Sequence, residues 1–203
     1  LFKEIRKNKA LCIVDEVQTG FGRVGSNFWS FEEHNVVPDI VTLGKPMGNG
    51  HPLAAVITTK KIASTFNNGM EYFNSFGGNP VSCAVGNAVL EVIEQQKLQQ
   101  NAFNIGKYFL DKLKVIQNKN KKYISEVRGR GLFLGIDIIK DYDYLKPNKQ
   151  LAKKIINYMR ENGILLSTDG PYDNVIKIKP PLIFNKNNVD IVCQNLENFF
   201  KKI

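Results

Sequence analysis

Lys45 is the residue with the clearest chemical potential, because it follows a short apolar stretch, Ile40–Leu43, and opens a turn-rich loop. That loop contains Pro46, Gly48, Gly50 and Pro52. We therefore expect an amine at the tip of a buried strand, on a loop whose glycines let a planar ligand approach the backbone. Apolar surroundings would lower the pKa of such a lysine and favour the neutral amine, which forms Schiff bases. The alternative is an ordinary surface lysine after a strand.

Two carboxylates close an earlier apolar run. Residues 10–14 are continuously apolar, which favours a strand buried on both faces of a parallel sheet, and Asp15 and Glu16 follow directly. Open α/β sheets bind ligands at the carboxyl ends of their strands. A third segment, Tyr72–Pro80, is polar and glycine-rich and is expected to be a loop.

The segment Gly20–Gly25 spells G-x-G-x-x-G, the pattern of dinucleotide-binding turns. Its context argues against that function. The glycines follow two acids and a polar pair, and the aromatic stretch Phe28–Phe31 stands where the binding helix should begin. We expect no dinucleotide site here.

An acid, a lysine and a loop with serine, glycine and asparagine, in this order, are what pyridoxal phosphate requires. An acid must keep the pyridine nitrogen protonated, a lysine must form the Schiff base, and small donors must bind the phosphate. Three segments closely resemble the sequences of class III aminotransferases: Val14–Arg23, the Lys45 loop and Gly77–Pro80. Members of that family are fold type I pyridoxal-phosphate enzymes with the aspartate aminotransferase-like fold. The resemblance extends from about Leu11 to the C-terminal helix.

The resemblance implies specific roles for five residues. Asp15 would pair with the pyridine nitrogen, and Val17 would pack on one face of the ring. Gln18 would hydrogen-bond the phenolic oxygen of the ring, and Lys45 would be both the Schiff-base residue and the proton shuttle. Ser75 matches a hydroxyl residue, usually threonine, that reaches the cofactor phosphate of a neighbouring subunit, so the resemblance also implies a homodimer.

Four further polar residues near these motifs are assigned mainly structural roles. Glu16 is expected to make structural hydrogen bonds beside the site, and His34 and His51 are interpreted as structural. Arg23 is left open between support of its loop and a role in the site. No spacing of histidine, cysteine or acidic residues predicts a metal site.

Within the family, the sequence is most similar to those of ethanolamine-phosphate phospho-lyases and their phosphohydroxylysine-cleaving relatives. The matching segments are 43–52, 69–74, 80–86, 165–171 and 177–182. Many class III aminotransferases carry an arginine, at the position of Lys177, that clamps the substrate carboxylate. Lysine lacks the planar fork for that contact, which fits a substrate without a carboxylate. The alternative is that Lys177 is a surface lysine at a strand end.

Three functions remain open at this point. The first is β-elimination of phosphate from an amino-phosphate ester such as O-phosphoethanolamine, a primary amine. The second is transamination to a keto acid, which would use the same residues. The third is an inactive fragment, because the family has an N-terminal half that cannot be placed in this sequence and that would then be a required partner.

The pattern of elements predicts an α/β chain with two parts. Residues 1–97 would be the remainder of a large cofactor-binding α/β domain, and residues 98–203 a small α+β C-terminal domain. Strands are expected at 40–43, 53–57, 123–127, 132–138, 164–166 and 175–179, and helices near residue 60, from Pro80, through 103–113, at 151–160 and at the C-terminus.

Composition limits the classes of binding partner that are expected. The formal charge is +9, but the excess lysines alternate with asparagines and lack the aromatic spacing of a nucleic-acid platform, so no nucleic-acid partner is expected. No apolar run is long enough to span a membrane. The cysteines Cys12, Cys83 and Cys193 lie far apart in apolar runs, which favours reduced core thiols in a cytoplasmic protein.

Overall fold

The chain divides into two compact units in a computed structural model that describes residues 1–203. The first unit contains residues 1–99 and the second contains residues 100–203. The boundary expected from the sequence lies between residues 97 and 98, and the functional assignment of the two parts stays a prediction. No helix is long and apolar enough to cross a membrane.

The first unit is built on a three-stranded sheet in the order β1-β2-β3. Strands β1 and β2 are parallel, with Asp15 opposite Thr42, and β3 pairs with β2 in the antiparallel sense. The elements are α1 (Phe2–Lys7), β1 (Ile13–Asp15), β2 (Ile40–Leu43), β3 (Ala55–Thr58), α2 (Lys60–Phe66) and α3 (Pro80–Gln95), with short 3₁₀ helices at Ser30–His34 and Lys45–Met47.

The outer strands of this sheet are not buried on both faces, so the expectation of a doubly buried strand at residues 10–14 was wrong. Ile13 is 62% exposed and Val56 is 67% exposed, whereas Val41 and Leu43 of the central strand are buried. Each outer strand pairs with β2 alone, and no residue of this chain covers its outer side chains. The strands also begin later than expected, because the ladder starts at Ile13 and Ala55.

Helix α3 begins where the sequence predicts. Pro80 occupies the first turn, and the side chain of Asn79 accepts a hydrogen bond of 2.9 Å from the backbone N–H of Ser82. Asparagine is a preferred cap because it satisfies an N–H that the helix itself leaves unpaired. Helix α3 exposes Cys83, whereas Cys12 and Cys193 are buried, so the expectation of three core cysteines was wrong for Cys83.

The second unit packs helices against an antiparallel sheet in the order β4-β5-β8-β7, with β6 paired to β5. The predicted C-terminal helix carries an apolar stripe at helical spacing, and all five of its residues (Val189, Val192, Leu196, Phe199 and Phe200) are buried. The elements are α4 (Leu98–Lys119), whose first two residues belong to the first unit, β4 (Ile124–Arg130), β5 (Phe133–Lys140), β6 (Asp143–Pro147), α5 (Lys149–Glu161), β7 (Ser167–Asp169), β8 (Val175–Ile178) and α6 (Lys186–Phe200).

The strand expected at residues 164–166 is not formed, and β7 starts at Ser167 instead. The backbone N–H of Ile164 donates to Met159 O at 2.9 Å, and that of Gly163 donates to Arg160 O at 3.0 Å. These two bonds, with Gly163 at a φ of +77°, end α5 in a Schellman arrangement. Because the N–H of Ile164 closes the end of α5, Ile164 belongs to the helix cap and does not start a strand.

Candidate active site

Asp15 is held at the carboxyl end of β1 by two hydrogen bonds to one of its oxygens. Oδ1 accepts from the backbone N–H of Val17 at 2.9 Å and from the hydroxyl of Thr42 at 3.1 Å. The other oxygen, Oδ2, makes no hydrogen bond within the chain, and the side chain is exposed. The carboxylate is therefore oriented and keeps one oxygen for a ligand.

Lys45 lies at the same edge of the sheet, because β1 and β2 are parallel and it follows the end of β2 by two residues. Its backbone has a φ of +29°, within the left-handed region that non-glycine residues rarely adopt. The side chain is exposed. The expected apolar burial of its amine was therefore wrong for this chain, because the sheet around it is open on one side.

The other residues implied by the resemblance fall into two groups. Val17 stands beside the Lys45 loop, since a Cβ added to Gly44 would lie 3.7 Å from its Cγ2 atom, and Gln18 is the next residue of the same turn. Ser75 lies on the exposed loop between α2 and α3. Lys177 lies in β8 of the second unit. The first unit thus brings together Asp15, Val17, Gln18 and Lys45.

Glu16 makes structural hydrogen bonds, as the sequence predicts. It is fully buried at 0% exposure. Its Oε1 accepts from the Ser30 hydroxyl at 2.6 Å and the Phe31 N–H at 2.9 Å, and its Oε2 accepts from the Thr19 hydroxyl and the Ser30 N–H, both at 3.0 Å. A single carboxylate therefore anchors the loop that follows Asp15.

Replacing Glu16 with glutamine is expected to destabilise the first unit by about 2 kcal/mol, because each carboxylate oxygen accepts from a backbone N–H. In either orientation of the glutamine amide, its NH₂ group faces a backbone N–H, and two donors cannot form a hydrogen bond. Trp29 is the only tryptophan and packs edge-on against Phe28 at 4.7 Å, so its fluorescence reports this loop during urea unfolding. The exposed Glu71→Gln variant is the control, and equal midpoints for the two variants would contradict the anchoring role.

The glycine-rich segment Gly20–Gly25 forms turns, and no α-helix starts from it, whereas the glycine turn of a dinucleotide site opens a helix. The N–H of Gly22 donates to Phe28 O at 2.9 Å and closes the loop. Burial lowers the pKa of the Arg23 guanidinium, which is half-buried beside this turn, and His34 is exposed.

Two contacts at this edge were missed by sequence reasoning. Thr42 orients Asp15, and the Nε2 atom of His51 lies 2.7 Å from the Ser82 hydroxyl. Thr42 could have been found, since pairing two parallel strands in register puts it opposite the acid. Nothing in the sequence relates His51 to Ser82, which stands 31 residues further along the chain.

The family model for class III aminotransferases matches residues 3–200. The chain belongs to the class III aminotransferase family. Members of this family are dependent on pyridoxal phosphate, as the sequence predicts, and the α/β fold matches that of fold type I members.

The relatives include both aminotransferases and phospho-lyases. A Drosophila melanogaster protein named alanine–glyoxylate aminotransferase 2-like is 50% identical over 94% of this chain and 39% of its own length. Ethanolamine-phosphate phospho-lyase homolog 1 of Caenorhabditis elegans is 45% identical over 91% of this chain and 40% of its own. Relatives from Arabidopsis thaliana and Homo sapiens are named as mitochondrial proteins.

A similar solved structure is that of a phospholyase from Arthrobacter in complex with phosphoethanolamine. It superposes with a TM-score of 0.95 at 44% identity, over 100% of this chain and 48% of that one. This chain therefore spans less than half the length of these relatives.

Residues of the first unit fit pyridoxal phosphate. Asp15 presents an oriented carboxylate whose Oδ2 is open, and this oxygen is the negatively charged acceptor that the N–H of a protonated pyridine ring needs. Lys45 presents an exposed primary amine at the same sheet edge. A branched apolar side chain, Val17, lies beside the lysine loop and can cover a ring face.

Proposed function

We propose that the chain is the part of a pyridoxal-phosphate enzyme that carries out β-elimination of phosphate from an amino-phosphate ester such as O-phosphoethanolamine. The observation that carries the proposal is the pairing of Asp15 and Lys45 at one sheet edge by the parallel register of β1 and β2. The likeness to a phospholyase solved with phosphoethanolamine supports this substrate class.

Pyridoxal phosphate, when bound, supplies an aldehyde that captures the substrate amine and a ring that accepts negative charge. In the proposal, Asp15 keeps a proton on the pyridine nitrogen through Oδ2, while Thr42 and the Val17 N–H hold Oδ1 in place. Val17 covers one ring face, and Gln18 donates to the phenolic oxygen. These residues bind and orient, and none of them reacts.

Lys45 moves the proton. Its amine Nζ, released when substrate binds, takes a proton from the substrate carbon that bears the nitrogen. The C–O bond on the adjacent carbon then breaks, and phosphate leaves with the bonding electrons. The enamine that is released takes up one water to give an aldehyde and ammonia, so elimination needs no oxidant and no keto acid.

Transamination is the second candidate, because a relative from Drosophila melanogaster is named as an aminotransferase. Lys45 would then return the proton to the cofactor carbon, and the amino group would pass to a keto acid. The same residues serve both outcomes, and the presence of a phosphate leaving group on the substrate separates them.

We propose Lys177 as a substrate contact, on the resemblance and on the local geometry of the second unit. Its Nζ lies 2.7 Å from Asp169 Oδ2 and holds the pKa of that carboxyl below its usual range. Both side chains line an open cavity of about 370 Å³ together with Arg128. Asp169 is exposed, so the pair is worth little and a phosphate dianion can replace it. Lysine binds phosphate as a point charge.

Replacing Lys177 with glutamine is expected to raise the KM for O-phosphoethanolamine about tenfold, since it removes one charge-assisted hydrogen bond at a partly exposed site. The value of kcat should change little. Lys149→Gln is a matched control, because Lys149 is also paired with an aspartate at 2.7 Å. An unchanged KM in Lys177→Gln would exclude this substrate contact.

A homodimer is part of the proposal. The segment from Phe66 to Phe76 exposes five large apolar side chains between 67% and 82% (Phe66, Met70, Tyr72, Phe73 and Phe76). Exposed apolar clusters of this kind mark interaction surfaces. Ser75 lies within this segment, which supports its proposed reach to the cofactor phosphate of a second subunit.

The activity is proposed to require the N-terminal half that the longer relatives contain, with this chain inactive alone. Two observations support this requirement: the open faces of β1 and β3, and the coverage of 39% to 48% of the relatives named above. A cytoplasmic location stays a prediction that rests on three free cysteines.

The test compares this chain with a version extended upstream to the length of its relatives, each mixed with pyridoxal phosphate. An absorbance band of bound cofactor only in the extended form supports the proposed need for the N-terminal half. Phosphate release from O-phosphoethanolamine without a keto acid then supports elimination, whereas amino transfer that depends on a keto acid supports transamination. No band in either form would overturn the cofactor assignment of this chain.

A further inference from the structure

The loop that carries Lys45 is connected to α3 by a side-chain hydrogen bond. His51, at the end of this loop, places Nε2 at 2.7 Å from the hydroxyl of Ser82. Ser82 is 7% exposed and lies in the first turn of α3. A buried hydroxyl paired with a ring nitrogen is costly to leave unpaired, so this contact is expected to hold the loop against the helix.

The same hydroxyl continues the network towards the loop that contains Ser75. Ser82 Oγ accepts from Asn79 Nδ2 at 2.9 Å, and the same amide donates to Phe76 O at 2.7 Å. One hydroxyl can accept from the amide and donate to the imidazole at once. The network therefore joins the Lys45 loop, the start of α3 and the end of the serine loop.

The Lys45 loop needs such external support because its own backbone is strained. Lys45 has a φ of +29° and Asn49 a φ of +45°. Strained residues persist only where the surrounding structure holds them. Inside the loop, three tight turns supply part of that hold, with the N–H groups of Met47, Asn49 and His51 donating to Gly44, Pro46 and Gly48 at 2.9 to 3.1 Å. The packing is close, since a Cβ added to Gly48 would lie 2.1 Å from His51 O.

We propose that His51 is a positioning residue, which fixes the conformation of the Lys45 loop through its hydrogen bond to Ser82. This inference rests on the proposed function for its chemical consequence, because the loop matters through the amine that it presents. Its structural premise, a side chain that restrains residues 44–51, does not depend on the cofactor.

Three variants and a control separate positioning from general stability. His51→Leu removes the ring nitrogen, and Ser82→Ala removes its partner but keeps the backbone N–H that Asn79 caps. His51→Gln carries a polar atom at a position similar to Nε2 and is the rescue variant. The control is Ser64→Ala, which removes a hydroxyl bond of 2.8 Å to Lys60 O in α2.

The first readout is amide hydrogen exchange in the cofactor-free chain. His51→Leu and Ser82→Ala are each expected to speed exchange of the amides of Met47, Asn49 and His51 about fivefold, the effect of losing one neutral hydrogen bond. Combining the two should add little, since both remove the same bond. His51→Gln and Ser64→Ala should leave exchange at these amides unchanged.

The second readout is the rate at which the Lys45-dependent cofactor band forms, in whichever form of the protein binds pyridoxal phosphate. We expect the two disruptive variants to slow it by a similar factor, and His51→Gln to restore it. If His51→Leu and Ser82→Ala form the band at the normal rate, or leave amide exchange in the loop unchanged, the inference about His51 is overturned and the proposed function is not affected. Absence of the band from the unsubstituted protein would overturn the proposed function, while the exchange result would still report on the loop.

Discussion

Replacing Lys45 with alanine is expected to abolish the absorbance band of bound pyridoxal phosphate and to lower phosphate release by at least about 10⁴-fold, because one amine both attaches the cofactor and moves the proton. The measurement is the band together with phosphate release from O-phosphoethanolamine, in the upstream-extended protein. This is the largest effect that the proposed function predicts.

The effect of Lys45→Ala on activity can be separated from an effect on folding. The Lys45 side chain is exposed and makes no hydrogen bond, so its truncation removes no contact on which the fold depends. The backbone turn that begins at Lys45 is closed by the N–H of Met47, which donates to Gly44 O at 2.9 Å, and this bond does not involve the side chain. A folded protein without activity is therefore the expected result.

Two controls separate chemistry from charge. Lys61→Ala removes another exposed lysine of the first unit and should leave both the band and the activity unchanged. Methylamine added to Lys45→Ala should recover part of the phosphate release, since it replaces the missing base. Full activity in Lys45→Ala would contradict the assignment of this residue.

Elements with local signals were predicted well. Strand β2 has the expected bounds, Ile40–Leu43, and α3 starts at Pro80 behind the cap of Asn79. The stripe of α6 is buried as its period indicates. Each of these features depends on residues within one or two turns of each other, so the sequence contains the whole signal.

Features that depend on distant residues could not be predicted in the same way. The burial of β1 and β3 depends on what covers their faces, and the apolar content of Ile13 or Val56 only indicates that something should. The strand expected at 164–166 failed because the Ile164 N–H closes α5. Strand β6 was missed, as its burial pattern has no buried position to mark it.

The candidate site also combines features with a local sequence signal and features that depend on distant residues. Asp15, Val17, Gln18 and Lys45 could be named from motif order, and the parallel register of two strands then accounts for the acid and the lysine sharing an edge. The exposure of the Lys45 amine and the contact between His51 and Ser82 follow from tertiary placement. Sequence motifs therefore identify the reactive groups, while the atoms that orient them require coordinates.

Replacing Asp15 with asparagine is expected to lower phosphate release by about 10²–10³-fold, in the range of a lost electrostatic contact to a reacting centre. Asparagine retains an oxygen at the Oδ1 position, so the hydrogen bonds from the Val17 N–H and the Thr42 hydroxyl can remain. Only Oδ2 changes, from an acceptor to an NH₂ donor. The fold and the Lys45-dependent band should therefore persist.

The loss is expected in turnover because an amide cannot keep the pyridine nitrogen protonated. An NH₂ group donates to an unprotonated nitrogen, and the ring then accepts less of the charge that develops when Lys45 removes the substrate proton. Thr42→Val provides the matched control: it removes the 3.1 Å hydrogen bond to Oδ1 and keeps the charge, so its loss should be below about tenfold. If Asp15→Asn and Thr42→Val lost equal activity, the carboxylate would act by position alone. The order expected here, with the charge outweighing the hydrogen bond, is what distinguishes Asp15 as the partner of the ring nitrogen from an acid that only shapes the loop.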